Sequence, residues 1–242
     1  MGFYNYLYSF LFGLIPLGGG LIAIIKAGIW GRMRSSVGKA VTFVGLGLFC
    51  WGFGETIWSY YNFFLHVPAP YPSLADIGFA PSIFFYGLGA IYLSHATGAK
   101  YGLRNKFAKI FLIIAPLLIF AVSYYVQVSI ARGNVLIPDG ETPLKTILDI
   151  AYPLGDFVGL TISVIVSGLS FKYFGGRYVG DIASILTGLG VMYLADFTFS
   201  YTTTVNTYFN GDAGDLMLTI GMFLLTFGIL GFCVHPKLAD QE

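Results

Sequence analysis

The stretch from Ala40 to Leu65, AVTFVGLGLFCWGFGETIWSYYNFFL, decides the fold. It exceeds the roughly 20 residues that a helix needs to cross the hydrocarbon core of a bilayer. Its one charged residue is Glu55. Apolar and polar residues do not alternate along it, as they would in a membrane barrel strand, and a helix satisfies its own backbone in lipid. The stretch therefore predicts a membrane-spanning α-helix.

Further apolar runs of the same kind predict seven transmembrane helices, which form a single domain over residues 1–242. The runs are Tyr8–Trp30, Ala40–Leu65, Asp76–Thr97, Ala108–Ser129, Leu144–Phe171, Val179–Val205 and Leu216–Val234. Only 10% of the residues are charged, whereas a soluble domain carries about 25%. We therefore expect an all-α, multi-pass protein of the cell membrane, with the lipid bilayer as its main surroundings.

The basic residues indicate the orientation of these helices. Of the 13 Lys and Arg residues, Arg132 and Lys145 fall on one side of the predicted bundle, and the others fall on the opposite side. Cytoplasmic loops carry the excess of positive charge in membrane proteins. The pattern therefore places the N-terminus outside and the C-terminus in the cytoplasm.

Acidic residues mark a possible internal repeat. Helices 3, 5 and 7 run inward in this frame, and each begins near an acid, namely Asp76, Asp149 or Asp215. The sequences Asp76-Ile-Gly-Phe and Asp149-Ile-Ala-Tyr match closely. We interpret the chain as one leading helix followed by three helical hairpins. An acid in the first turn also interacts favourably with the helix dipole, so a structural role explains part of the pattern.

Acids inside the apolar runs are the candidate functional residues, because ionisable groups at membrane depth are costly and usually face the bundle interior. Glu55 lies about 15 Å from the outer end of its run, at 1.5 Å per residue. Neighbours at helical spacing add a polar and aromatic stripe to each acid. The predicted ligand- or cation-binding residues are Glu55, Asp156, Asp196, Asp149, Trp51, Trp58, Asn62, Tyr152 and Tyr193.

These stripes predict an acidic, aromatic pocket that opens outward. We expect no Lys or Arg at matching depth, so the acids would be protonated, hydrogen-bonded or bound to a cation. Polar contacts between helices are an alternative role for them, and an ion or proton path is another. The identity of any metal stays open.

Several chemistries are disfavoured by composition. Helix 7 has no lysine for a retinal Schiff base, and the three histidines are scattered at His66, His95 and His235. A metal-dependent hydrolase would need clustered histidines and acids. The net charge of +1 gives no sign of nucleic-acid binding. We therefore expect no catalytic residues, no cofactor and no enzymatic activity.

Several motifs resemble a known family. They are Pro70-Tyr-Pro-Ser-Leu-Ala-Asp76, Asp149-Ile-Ala-Tyr-Pro-Leu-Gly-Asp156, Leu194-Ala-Asp196 and Gly211-Asp-Ala-Gly-Asp215. Together they are similar to the multi-helix membrane sensor domain that precedes diguanylate cyclase, PAS or histidine kinase modules in prokaryotic signalling proteins. This resemblance implies a role in signal transduction. The 242 residues contain no such output module, so a separate cytoplasmic signalling protein would be the partner.

The combined expectation is a non-enzymatic, receptor-like membrane domain. It would bind a small ligand or cation in the outer pocket and relay helix movement to a cytoplasmic partner. The first alternative is a structural or accessory subunit of a larger membrane complex, in which the acids hold helices together. The second alternative is a transporter or channel, in which hairpin repeats would build a substrate path.

Overall fold

The computed structural model describes residues 3–67, 69–97, 106–135, 142–170 and 178–234, apart from the side chains of 106–109, 111, 112, 150, 153, 156, 158, 159 and 162–170. These ranges contain seven α-helices and no β-strand. The helices are α1 (Phe3–Lys26), α2 (Ser36–Phe63), α3 (Asp76–Ala96), α4 (Lys106–Tyr124), α5 (Pro143–Ser170), α6 (Val179–Thr204) and α7 (Ala213–Val234). The all-α class is confirmed, and each helix covers one predicted run.

Six of these helices, all except α5, are long and apolar enough to cross a membrane over their described residues. The fifth predicted run does form a helix, and α5 extends over 28 residues. Side chains in its second half lie outside the described part of the chain. A multi-pass membrane bundle therefore accounts for the apolar composition. Five of the 13 basic residues used to predict orientation, Arg104 and Arg177 among them, also lie outside the described ranges.

Local signals explain why some helices extend beyond the predicted runs. The helix α2 begins at Ser36, because Ser35 is its N-cap and the Ser35 hydroxyl oxygen accepts the Gly38 backbone N–H at 2.9 Å. Such a cap satisfies one of the unpaired N–H groups at a helix start. The helix α4 continues into a π-helical turn, Tyr125–Ile130. That turn carries the chain to Arg132, whose residue is only 8% exposed.

Six helices form a closed ring. In order around the ring, α1 packs on α2, α2 on α3, α3 on α5, α5 on α6, α6 on α7, and α7 again on α1. The helix α4 stands outside this ring and packs mainly on α5. Its exposed side chains include Ile113, Leu117 and Leu118. Such a surface suits contact with lipid.

Glycines allow close approach between neighbouring ring helices. A Cβ added at Gly78 of α3 would lie 2.5 Å from the Cys50 carbonyl oxygen and from the Gly54 nitrogen of α2. A Cβ at Gly20 of α1 would lie 2.5 Å from the backbone nitrogen of Phe49. Both obstacles are backbone atoms, which cannot rotate away. These crossings match the tight helix packing that 32 glycines predict.

The two ends of the ring differ in character. At the end carrying the connections α1–α2 and the C-terminus of α7, buried aliphatic side chains fill the interior. They include Val41, Val44, Leu48, Ile185, Leu189, Leu225 and Ile229. At the other end, near residues 64–75 and 205–212, polar and aromatic side chains replace them and surround a cavity.

Candidate ligand-binding cavity

The cavity lies at the end of the ring that the charge pattern predicts to be outside. Inside the cavity, the centres of water-sized molecules have about 70 Å³ of room, and one water needs roughly 10–15 Å³ of such room. The cavity can therefore hold several water molecules or a small organic group. All six ring helices contribute to its walls, and no described side chain of α4 does. The lining residues are Tyr8, Ser9, Phe12, Gly13, Trp51, Glu55, Trp58, Tyr71, Asp76, Phe79, Ser82, Ile83, Tyr152, Asp196, Phe199, Tyr208, Asp215, Leu218, Thr219 and Met222.

Four of these residues are acids, and they differ in their partners. Asp76 and Asp215 each begin a helix and accept a backbone N–H from the turn before it. The donor is Ser73 for Asp76, at 2.7 Å, and Gly211 for Asp215, at 2.6 Å. A tyrosine hydroxyl also reaches each carboxylate, from Tyr152 to Asp76 and from Tyr208 to Asp215. These two acids therefore have structural roles.

Glu55 has a different environment. It projects from α2 between Trp51 and Trp58, and no hydrogen bond or ion pair joins its carboxyl to any residue that the structure describes. The carboxyl is close enough to Asp215 for their charges to interact. The helix α1 passes directly over the Glu55 side chain, since a Cβ at Gly13 would lie 2.4 Å from its Cγ. Glycine at position 13 therefore leaves room for a carboxyl that has no hydrogen-bond donor among the described residues.

The fourth acid, Asp196, comes from α6 and is partly buried at the cavity wall. Its place in the lining brings α6 into the same site as α2 and α7. No Lys, Arg or His belongs to the lining. Within the described part of the chain, the site therefore gathers negative charge without a basic residue in its walls.

Aromatic rings form a connected wall beside these acids. Trp58 is at the centre, with its ring centroid 6.4 Å from that of Phe79, 6.3 Å from that of Phe199 and 6.3 Å from that of Tyr208. Trp51 extends the wall, at 5.6 Å from Phe79. These separations are in the range of favourable aromatic pairs. The wall joins α2, α3, α6 and the loop before α7.

Two loop tyrosines contribute neutral hydroxyls. Burial raises the pKa of Tyr71 far above the ordinary phenol value, and the negative charge of Asp149 raises it further. Burial likewise raises the pKa of Tyr208, and the charge of Asp215 adds to the effect. Both side chains therefore stay protonated at neutral pH. They therefore add no negative charge to the cavity.

The structure brings together five of the residues predicted to bind a ligand. Glu55, Asp196, Trp51, Trp58 and Tyr152 all line the cavity. The side chain of a sixth, Asp156, lies outside the described residues, although its backbone belongs to α5.

The remaining predicted residues, Asn62, Tyr193 and Asp149, are buried but do not belong to the lining. The Tyr193 hydroxyl is hydrogen-bonded to Ser123 of α4. Asn62 is only 1% exposed, and its amide atoms have no hydrogen-bond partner among the described residues. These side chains therefore lie in helix–helix contacts around the cavity.

Asp149 has basic partners that do not belong to the cavity lining. The Arg132 guanidinium donates a hydrogen bond to Asp149 and forms an ion pair with it. The Lys145 ammonium lies 3.9 Å from the same carboxylate oxygen. The π-helical turn after α4 directs Arg132 back into the bundle instead of leaving it in a solvated loop. Asp149 is therefore a paired structural acid.

Sequence reasoning did not include Asp76 and Asp215 among the site residues. Both acids lie in the first turn of a helix, and a favourable interaction with the helix dipole is enough to explain an acid at that position. The available signal was the repeat itself. Acids at equivalent positions of two hairpins belong to the same end of a bundle, and here both reach one cavity.

The acids are not arranged as a metal centre. Among the side chains that the structure describes, no group of three His, Cys, Asp or Glu residues is close enough to hold a metal ion. A protein site for a divalent cation draws several oxygen ligands together around the ion. The carboxyls of the cavity instead stand apart from one another.

Comparisons with protein-family models, curated proteins and solved structures find no match to the chain.

Proposed function

We propose that this chain is a receptor-like membrane domain that binds a small molecule from the outer side. In this proposal seven helices cross the membrane, the N-terminus is outside, and the C-terminus is in the cytoplasm. The cavity at the outer end takes the ligand. The domain has no catalytic role, and it passes ligand-dependent helix movement to a separate cytoplasmic protein.

The observation that carries this proposal is the composition of the cavity wall. The cavity is bounded by four carboxyl side chains and a connected aromatic surface. Pockets with a few placed polar groups on an aromatic lining are typical of small-molecule sites. Polar residues that served only to hold helices together would close upon one another, as Ser123 and Tyr193 do.

The closed inner half of the ring favours a receptor over a transporter. Aliphatic side chains such as Leu48, Ile185 and Leu225 are 0% exposed there. A transporter needs polar groups along its substrate path through the membrane. A ligand in this cavity would instead contact all six ring helices. If it binds one helix arrangement better than another, it shifts the population toward that arrangement.

Ligand-dependent thermal stabilisation tests this proposal. The purified protein in detergent would be screened against amino acids, amines, organic acids, sugars and nucleosides. We expect one chemical class to raise the melting temperature, because a ligand of the folded state stabilises it by mass action.

A matched pair of variants on α7 provides the control. Leu218→Trp adds bulk inside the cavity, whereas Leu216→Trp adds the same bulk on a surface position that is 55% exposed. The stabilisation should disappear in Leu218→Trp and persist in Leu216→Trp. If no class stabilises the wild-type protein, the proposal fails, and the accessory-subunit interpretation takes its place.

A further inference from the structure

The chemical class of the ligand is suggested by the Glu55 carboxyl in the cavity, if the proposed receptor function holds. Asp76 and Asp215 each accept a backbone N–H and a tyrosine hydroxyl. Glu55 has no such donor among the described residues, although its side chain is half-buried and lies against Gly13 of α1. A partly buried carboxyl without a hydrogen bond from the protein is stabilised when a ligand or a proton balances it. A cationic ligand would supply both a donor and the opposite charge.

The geometry separates an organic cation from a metal ion. A metal site would need three or more ligating side chains around one point, and the described residues contain no such group. The cavity that Glu55 lines also has room for several water-sized groups, more than a single ion occupies. Both observations favour a molecule that has a positive group at one end and apolar surface elsewhere.

The aromatic wall fits the same kind of molecule. Ammonium groups are attracted to the faces of Trp, Tyr and Phe rings, and quaternary ammonium compounds are recognised in this way by aromatic cages. Trp51 and Trp58 flank Glu55 on α2, one helical turn away on either side. Phe79, Phe199 and Tyr208 continue the aromatic surface from neighbouring elements. An ammonium ligand would therefore meet a carboxyl and several rings together.

We infer that the cavity binds an organic ammonium compound, with Glu55 as its counter-charge and the Trp51–Trp58 aromatic wall as its apolar contact. This inference rests on the proposed receptor function and specifies the ligand class of that same site. Asp215 and Asp196 add negative potential to the cavity without being required as direct contacts.

Tryptophan fluorescence gives a direct test, since two of the three tryptophans line the cavity. The third, Trp30, lies at the opposite end of the bundle, where its Nε1–H donates to the Phe232 carbonyl oxygen at 2.8 Å. In a Trp30→Phe background the signal therefore reports the cavity alone. Choline, benzyltrimethylammonium, phenethylamine and putrescine would be titrated against the neutral analogues 3,3-dimethylbutanol and benzyl alcohol. Magnesium and calcium chloride would complete the set.

We expect at least one ammonium probe to change the fluorescence saturably and to raise the melting temperature. Its neutral analogue should bind about tenfold more weakly or worse, the equivalent of about 1.4 kcal/mol. Glu55→Gln should weaken binding of the ammonium probe to a similar degree and leave binding of the neutral analogue unchanged. Glu55→Asp keeps the charge and should retain part of the affinity.

The possible failures are distinct. Two outcomes would overturn the ammonium assignment but leave the pocket as a ligand site. The first is equal binding of charged and neutral analogues. The second is stabilisation by another class of the wider screen while all ammonium probes are inactive. A response to the metal salts alone would also overturn it. If no probe and no screened class binds, the receptor function itself fails. The control is the melting temperature of ligand-free Glu55→Gln. If it is not lowered, a loss of ammonium binding in this variant is not caused by misfolding.

Discussion

The buried ion pair between Arg132 and Asp149 should make a large contribution to stability, and Arg132→Met tests it. The two side chains are 2% and 1% exposed, respectively. Methionine keeps most of the apolar volume of arginine and removes the guanidinium. Asp149 would then lose a charged hydrogen bond in the interior, and the Lys145 ammonium at 3.9 Å would offset only part of that loss.

The size of the effect follows from the burial of the pair. Removing one partner of a buried ion pair costs about 3–5 kcal/mol, because the other charge stays desolvated. An exposed pair would contribute only about 0–1 kcal/mol. For a chain of this length, about 1 kcal/mol shifts the melting temperature by roughly 2–4 °C. We therefore expect Arg132→Met to lower the melting temperature by about 6–20 °C.

Thermal unfolding of the purified protein at one fixed scan rate measures this shift. Lys145→Met is the matched control, since Lys145 carries the same charge, lies farther away and has a side chain that is 19% exposed. It should lower the melting temperature by at most about 4 °C. The double variant Arg132→Met with Asp149→Asn should recover much of the loss, because no buried charge is then left without its partner. A loss below about 2 °C in Arg132→Met would refute the buried pair.

Further predictions concern the cavity acid, the helix packing and the orientation. Without ligand, Glu55→Gln should keep or raise the melting temperature, because it removes a charge that lacks a hydrogen-bond partner in the described structure; a fall of more than about 5 °C would contradict this. Gly78→Ala should destabilise the protein by about 1–3 kcal/mol, because its Cβ meets the backbone of α2. The control Gly87→Ala in the same helix meets nothing within 4 Å and should be neutral or stabilising, so equal thermal shifts would refute the packing argument. In a cysteine-free background, a cysteine at Val135 should react with an impermeant thiol reagent added outside intact cells, and one at Met33 should not; the opposite labelling would reverse the orientation.

The helices could be predicted from the sequence because hydropathy depends on a residue and its near neighbours along the chain. The predicted run Asp76–Thr97 corresponds to a helix over Asp76–Ala96. The starts of α2 and α7 were less accurate, since Ser35 and the turn before Ala213 add polar helical residues that an apolar run omits. Hydropathy does not predict these helix starts, because they depend on hydrogen bonds to the backbone.

The order of helices around the ring could not be predicted in this way. At least six of the helices, α4 among them, are apolar enough to face lipid, so composition does not show which one stands outside. The position of α4 depends on which faces of the other helices pack closely on one another. Close contacts between helices, such as Gly78 of α3 against Cys50 of α2, are visible only in the folded structure. The same limitation explains Arg132, which the charge pattern assigned to an outer loop and the π-helical turn buries.

The hydrogen-bond partners of the cavity acids distinguish acids that belong to the repeat from an acid that is available to a ligand. Asp76 and Asp215 occupy corresponding positions in two hairpins, and both close the turn before their helix while holding a tyrosine. A residue repeated by hairpin architecture is expected to serve that architecture. Glu55 has no counterpart in this pattern, and its carboxyl has no hydrogen-bond donor among the described residues. Of these three cavity acids, Glu55 is therefore the carboxyl whose role folding leaves unexplained, and ligand binding should depend on it more than on Asp76 or Asp215.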